Sequence, residues 1–177
     1  MEEFSRRRFV IGTAATAATG ALAGCSGNGG GNGNGNGNGN GNGSGNGNGN
    51  GGSEGPEARA EAFVSDNEAN LYEGSLEDMT GQDEVVISTG AGDNGFSFNP
   101  AGVVVSTGTN IVWEWTGEGG AHNVVSENGS DYEFESELTD EEGYTEDVTV
   151  DETGAILYVC VPHRAQGMYG AVAVVDG

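Results

Sequence analysis

Seven short runs rich in Val, Ile, Trp and Tyr, each cut off by Gly, Asn, Asp or Pro, occupy the chain from Glu84 onward and restrict what it can fold into. They read EVVIST, GVVVS, NIVWEWT, NVVS, YTEDVTV, AILYV and GAVAVV. Branched and aromatic side chains suit a pleated, half-buried surface, and no run is long enough for an apolar helix. NIVWEWT alternates, so Ile111, Trp113 and Trp115 face one way while Val112 and Glu114 face the other. AILYV does not alternate, which predicts a strand covered on both faces. Seven or more strands in about 94 residues predict an all-β fold, a compact antiparallel β-sandwich over 84–177. Periodicity alone does not separate it from an immunoglobulin-like domain.

The residues before Glu84 divide into three parts. In 1–24, Ser5-Arg6-Arg7-Arg8-Phe9-Val10 precedes a mild apolar run from Val10 to Ala23. At 1.5 Å per residue that run covers about 21 Å, short of the ~30 Å hydrocarbon core, so it is no membrane span. It resembles a twin-arginine export signal, of the kind that suits proteins exported already folded. Leu22-Ala23-Gly24-Cys25 resembles a lipobox, in which the Cys25 thiol receives a lipid and becomes the mature N-terminus. The alternative is ordinary cleavage after Ala21-Leu22-Ala23, leaving Cys25 as a free thiol.

The second part, 25–56, is almost pure Gly-Asn repeat from Gly27 to Gly52. Without apolar residues it cannot build a core, and as a Gly-rich coil it has a root-mean-square span of roughly 25–30 Å. A lipid on Cys25 would hold the folded part near a membrane on this spacer, at the outer face of the cell. In the third part, 57–83, Pro56 and EARAEAFV predict a short helix ending near Ser65-Asp66. Phe63-Val64 and Leu71-Tyr72 are expected to pack on the domain edge, and no function is assigned to the segment. Asn42-Gly43-Ser44 and Asn128-Gly129-Ser130 are N-glycosylation sequons, a pattern that asks only for surface exposure.

Charge narrows the partners. There are 28 acidic residues against 5 basic ones, for a net charge of −23. Nucleic acid and anionic lipid surfaces repel such a chain. The carboxylates are spread over Glu54–Glu84, Glu127–Glu142 and Asp147–Glu152, which favours solvation in a salt-rich medium over a single face for a basic partner. At 1 M salt the Debye length is about 3 Å, so a partner must then be held by apolar contact.

Chemistry concentrates in YVCVPHRAQGMYG. One of two cysteines, one of two histidines and one of three methionines stand there as Cys160-x2-His163-x4-Met168. At this chain's own frequencies a given cysteine meets that spacing about once in five thousand cases. Taken singly, each residue has a plainer reading, the cysteine and methionine as core filler and a histidine as a hydrogen-bonded loop residue. Pro162 fixes its own φ and forces Val161 extended, so the loop leaving Cys160 is stiff. The one other histidine, His122 in GGAHNVVSE, precedes a strand and supplies the fourth donor. One thiolate, two imidazoles and a thioether match a blue copper site, whereas thioether is a poor zinc donor. A c-type haem needs Cys-x-x-Cys-His, which is absent. With both histidines used, no second copper centre of an oxidase or nitrite reductase can be assembled, and an electron carrier is expected, not an enzyme.

With this spacing, residues 84–177 resemble the cupredoxin family, the plastocyanin-like type 1 blue copper proteins. The resemblance implies a Greek-key β-sandwich with His122, Cys160 and His163 as equatorial ligands and Met168 as the axial one. It implies that Asn123 ties the ligand loops together by hydrogen bonds around the thiolate. It also implies that His163 passes the electron through a surface patch with Val161, Pro162 and Ala165, beside which Arg164 places a charge. The expected role is a membrane-tethered one-electron carrier between redox proteins of a respiratory chain. A copper-delivery module and a surface adhesion domain on a Gly-Asn stalk are the alternatives.

Overall fold

Pro56 opens the first element. Its ring presets φ, and its missing N–H would be unpaired in a first turn anyway. In the computed structural model, which describes residues 55–177, helix α1 runs Pro56–Asp66 with Glu57 in its first turn. The twin-arginine motif, the lipobox with Cys25, the Gly-Asn repeat and the Asn42 sequon lie outside the described residues. Ala60 and Val64, four residues apart, are buried, and Phe63 and Tyr72 pack beside them. Leu71 stays largely exposed.

Nine strands follow among the described residues: β1 (Glu77–Asp78), β2 (Glu84–Ala91), β3 (Ser97–Asn99), β4 (Gly102–Ser106), β5 (Asn110–Trp115), β6 (Val125–Ser126), β7 (Thr145–Thr149), β8 (Gly154–Val159) and β9 (Tyr169–Val175). Every predicted run contributes a strand, although NVVS shrinks to the two residues of β6. The two short strands β1 and β3 were not legible as runs. The order is β1-β4-β9-β8-β6 in one sheet and β3-β2-β5-β7 in the other. After β3, each connection except the β8–β9 hairpin switches sheets, the crossing pattern of a Greek-key sandwich. The sandwich is as expected, but its sheets are mixed and not purely antiparallel. Pairs β1–β4, β4–β9 and β2–β5 run parallel. Side chains alternate identically in either direction, so the sequence pattern carried no sign of it.

Between the sheets lies the main core, with Ile87, Phe98, Trp113, Trp115, Tyr158 and Val172 fully or almost fully buried. Removing each such side chain from water stabilises by about 1.5–3 kcal/mol. Ile111, Trp113 and Trp115 point inward from β5, as the alternation requires. Strand β8 is buried along its whole length for a different reason on each side. Ile156 and Tyr158 face the main core, whereas Ala155 and Leu157 face α1, which packs across β8 and β9. Small residues allow that approach: Ala155, Ala171 and Ala173 line the outer face beneath the helix.

Register then builds the functional end. In the antiparallel β6–β8 pair, Val125 sits opposite Val159. His122, just before β6, is thereby carried beside Cys160, just after β8, across a separation of 38 residues.

Candidate metal centre

Cys160 begins a tight connection from β8 to β9. Its N–H donates to the Met168 carbonyl at 3.0 Å, and its carbonyl accepts from the His163 N–H at 3.1 Å. Between them Val161–Gln166 form a 3₁₀ turn that kinks at His163 (φ −111°, ψ 19°) and ends on left-handed Gly167. Pro162 lies in the first positions of that turn, where its absent N–H is harmless. Cys160 and Met168 are fully buried, and His163 is half-buried.

His122 is fully buried and fixed from three directions. Its backbone exchanges hydrogen bonds with Thr139, at 2.8 and 3.0 Å. Its carbonyl also accepts from the Trp115 indole N–H at 3.1 Å. Its ring Nε2 lies 2.7 Å from the Glu118 carbonyl oxygen. A carbonyl only accepts, so the Nε2 carries the proton and the Nδ1 presents its lone pair.

That lone pair points into a cluster. Cys160 Sγ lies 3.5 Å from His122 Nδ1 and 3.4 Å from His163 Nδ1, and the two Nδ1 atoms are 3.1 Å apart. A point equidistant from three atoms so spaced lies about 1.9 Å from each, close to the ~2.0–2.3 Å of metal bonds to imidazole and thiolate. Among the described residues, no carboxylate joins this cluster of potential ligands. Two borderline nitrogens and one soft sulfur, with a methionine buried at the foot of the loop, suit copper better than zinc or a hard cation.

Electrostatics agree with a metal site. Burial pushes the His122 pKa down, against the opposing pull of the Glu118 carbonyl. Burial, and then the neighbouring His122, pushes His163 down as well. Both imidazoles are therefore held neutral, as ligands must be. Burial raises the Cys160 thiol, while the backbone amides of Asn123 and His163 act in the opposite direction. A cation entering the cluster must displace that thiol proton, so binding and proton release are linked.

The structure brings His122, Cys160 and His163 together and puts Met168 on the same loop. Asn123 is buried, and its side-chain carbonyl accepts from the Val161 N–H at 2.9 Å, joining the two loops. Arg164 is exposed beside His163, as expected, and its charge is paired. Its guanidinium forms a bidentate pair with Glu127, at 2.9 and 2.5 Å. Around His163 the exposed neighbours are Val161, Pro162 and Ala165, with the paired Arg164 beside them. Sequence reasoning missed Phe96, whose ring stacks on His163 with centroids 4.5 Å apart. Its run, NGFSFNP, reads as a turn. The Glu118 carbonyl was missed as well, because every residue has one.

Residues 85–175 match the family described as copper binding proteins, plastocyanin/azurin family. The chain is 60% identical to halocyanin of Natronomonas pharaonis over 174 residues, covering 98% of this chain and 99% of that one. It is 32% identical to plastocyanin B'/B'' of Nicotiana tabacum over 99 residues, 51% of this chain and 99% of that one. A mutant plastocyanin of fern, at 21% identity and TM-score 0.44, covers 51% of this chain and is itself covered completely, at 100%.

Proposed function

The chain belongs to the plastocyanin/azurin family of copper-binding proteins, and from that membership we propose that it works as a one-electron carrier, tethered to the outer face of the cytoplasmic membrane between respiratory-chain proteins. His122 Nδ1, Cys160 Sγ and His163 Nδ1 would hold one type 1 copper, with the Met168 thioether as a further, weak donor. Bound copper supplies one-electron exchange between its +1 and +2 states, and the soft sulfur donors favour the lower.

The chain's own contribution is to keep the donors still. The Glu118 carbonyl locks the His122 ring, Asn123 pins the start of the His163 loop, and Pro162 stiffens it. Burial of Cys160 and Met168 keeps water from the sulfurs. Ligands that barely move between oxidation states permit fast exchange. The partially exposed His163 ring, among Val161, Pro162 and Ala165, is the exit toward a partner, and pairing with Glu127 offsets the Arg164 charge beside it.

Tethering is supported by the sequence: the twin-arginine-like segment of 1–24, Cys25 as the lipidation site and the Gly-Asn spacer. Loss of membrane retention in Cys25→Ser is the expected outcome, and unchanged retention would count against a lipid anchor.

The observation that carries the reading is the convergence of two imidazole nitrogens and one sulfur at 3.1–3.5 Å. Copper-loaded protein should show an intense visible charge-transfer band that disappears in Cys160→Ser. A colourless copper-loaded wild type would refute the carrier. Rapid loss of copper to a competing chelator would favour delivery instead, an outcome that burial of His122 and Cys160 opposes.

A further inference from the structure

Residues 56–83 have no role in the reading above, and the family match begins only at residue 85. Their chain nevertheless finishes against the metal-binding loop. Beyond α1 the backbone turns through two left-handed residues that are not glycine, Glu68 (φ 49°) and Leu71 (φ 62°). Such positions hold strain of order 1–3 kcal/mol each and persist only where their surroundings enforce them. What this turn delivers is Asn70.

The Asn70 backbone N–H donates to the Gly167 carbonyl at 2.9 Å. Its side-chain nitrogen donates to two further carbonyls, Gln166 at 2.6 Å and Phe96 at 2.8 Å. An amide nitrogen has two hydrogens and carbonyls only accept, so both side-chain donors are committed and the orientation of the amide is fixed. Gly167 is pressed against it: an added Cβ would lie 3.2 Å from the Asn70 Oδ1 and 3.3 Å from the Glu68 carbonyl oxygen. One side chain thus bridges the loop that carries His163 and the stretch that carries Phe96, whose ring lies on His163.

We propose that Asn70 is a positioning residue of the metal centre, and that residues 56–83 act as a clasp holding the His163 loop and the Phe96 ring in one relative position. The proposal rests on the copper reading above. The outer side of the loop is exposed at Val161, Pro162, Ala165 and Gln166, so restraint has to come from beneath. Asn70 supplies it at Gln166 and Gly167, the end opposite to the one that Asn123 pins. A ligand loop released at that end lets the His163 ring shift between oxidation states.

Asn70→Asp tests this with little change of shape. It removes both side-chain donors and aims a carboxylate at two carbonyl oxygens. In the copper-loaded protein the reduction potential and the copper hyperfine splitting should shift, and electron self-exchange should slow. In the metal-free protein, amide-exchange protection at Gly167 and Met168 should fall roughly five- to tenfold, as for a lost net hydrogen bond. The nuclear Overhauser contact between the Phe96 and His163 rings should weaken. Arg59→Ala is the control. It removes the ion pair with Asp131 at the other end of the segment and should lower stability while leaving potential and loop exchange unchanged. Wild-type potential, splitting and loop exchange in Asn70→Asp would overturn the clasp. If Asn70→Asp does not fold, Asn70→Ser, which keeps one donor, is judged by the same readouts. If copper-loaded wild type lacks the visible band, the carrier reading fails, and exchange in the metal-free chain still decides the clasp.

Discussion

His122 owes its chemistry to an atom with no side-chain identity. Without the Glu118 carbonyl, either ring nitrogen could carry the proton; with it, only Nδ1 can face Cys160. The residue types and spacing of the centre were therefore legible, while the group that orients the first imidazole was not. Asn123 is the complementary case, because its side chain can be removed. Asn123→Ala leaves the Val161 N–H without its partner, and losing a net hydrogen bond at this part-buried position costs about 0.5–1.5 kcal/mol. Thermal unfolding of the metal-free protein should register that loss, and the visible band of the copper-loaded protein should shift as the loop relaxes. The imidazoles also set a pH dependence. Both His122 and His163 have folded pKa values below the ordinary 6.5, chiefly through burial. Below that value the unfolded chain binds protons that the folded chain refuses, so stability must rise with pH through this window. Metal-free protein should accordingly lose stability as pH falls from about 6.5 through the lower folded values, and denaturant midpoints measured across pH 5–7.5 check this. A flat profile would show that the rings are not shielded.

At the scale of elements, the β8–β9 hairpin joins the core to the metal loop, and its tightest point is Gly170. Register sets Gly170 opposite Tyr158, and an added Cβ would meet the Tyr158 ring at 2.4 Å. Tyr158 is fully buried between Phe98 and Trp113, so its ring has nowhere to retreat. Gly170→Ala should destabilise by about 1–3 kcal/mol, the usual range for an overpacked core, read as a lowered denaturant midpoint at unchanged slope. An unaltered midpoint would mean that the sheet yields more readily than its packing suggests. AILYV announced burial on both faces because composition reports environment. It could not say that one face meets Trp113 and Phe98 while the other meets α1. Strand direction was invisible for the same reason, since Val103 alternates with Val104 whichever way β9 runs beside β4. Just before the short strand β6, the His122 backbone pairs with Thr139 in an isolated bridge, and the Asn123 side chain accepts from Val161.

For the whole molecule the governing quantity is charge. A net charge of −23 with five basic residues leaves most carboxylates without a cationic partner. Among the described residues, ion pairs form between Arg59 and Asp131 and between Arg164 and Glu127. Both are partly exposed, and such pairs contribute about 0–1 kcal/mol each, which salt weakens. Repulsion among the remaining carboxylates acts the other way and is spread over the surface, so screening it stabilises the folded chain. The Debye length falls from about 30 Å at 0.01 M salt to about 3 Å at 1 M, which removes nearly all of that repulsion and only a small attraction. Stability should therefore rise with potassium chloride over this range, seen as an increasing thermal midpoint. Sodium chloride should give a comparable rise if screening is the cause. A midpoint that falls or stays level would show that the acidic surface serves a specific partner and not solvation. The same screening bears on electron exchange. At molar salt the acidic surface cannot steer a partner from a distance, so in the carrier role proposed above the contact around His163, Val161, Pro162 and Ala165 would have to select it. Exchange rates with a small cationic reagent should lose their salt dependence above about 1 M, where the Debye length is shorter than a side chain.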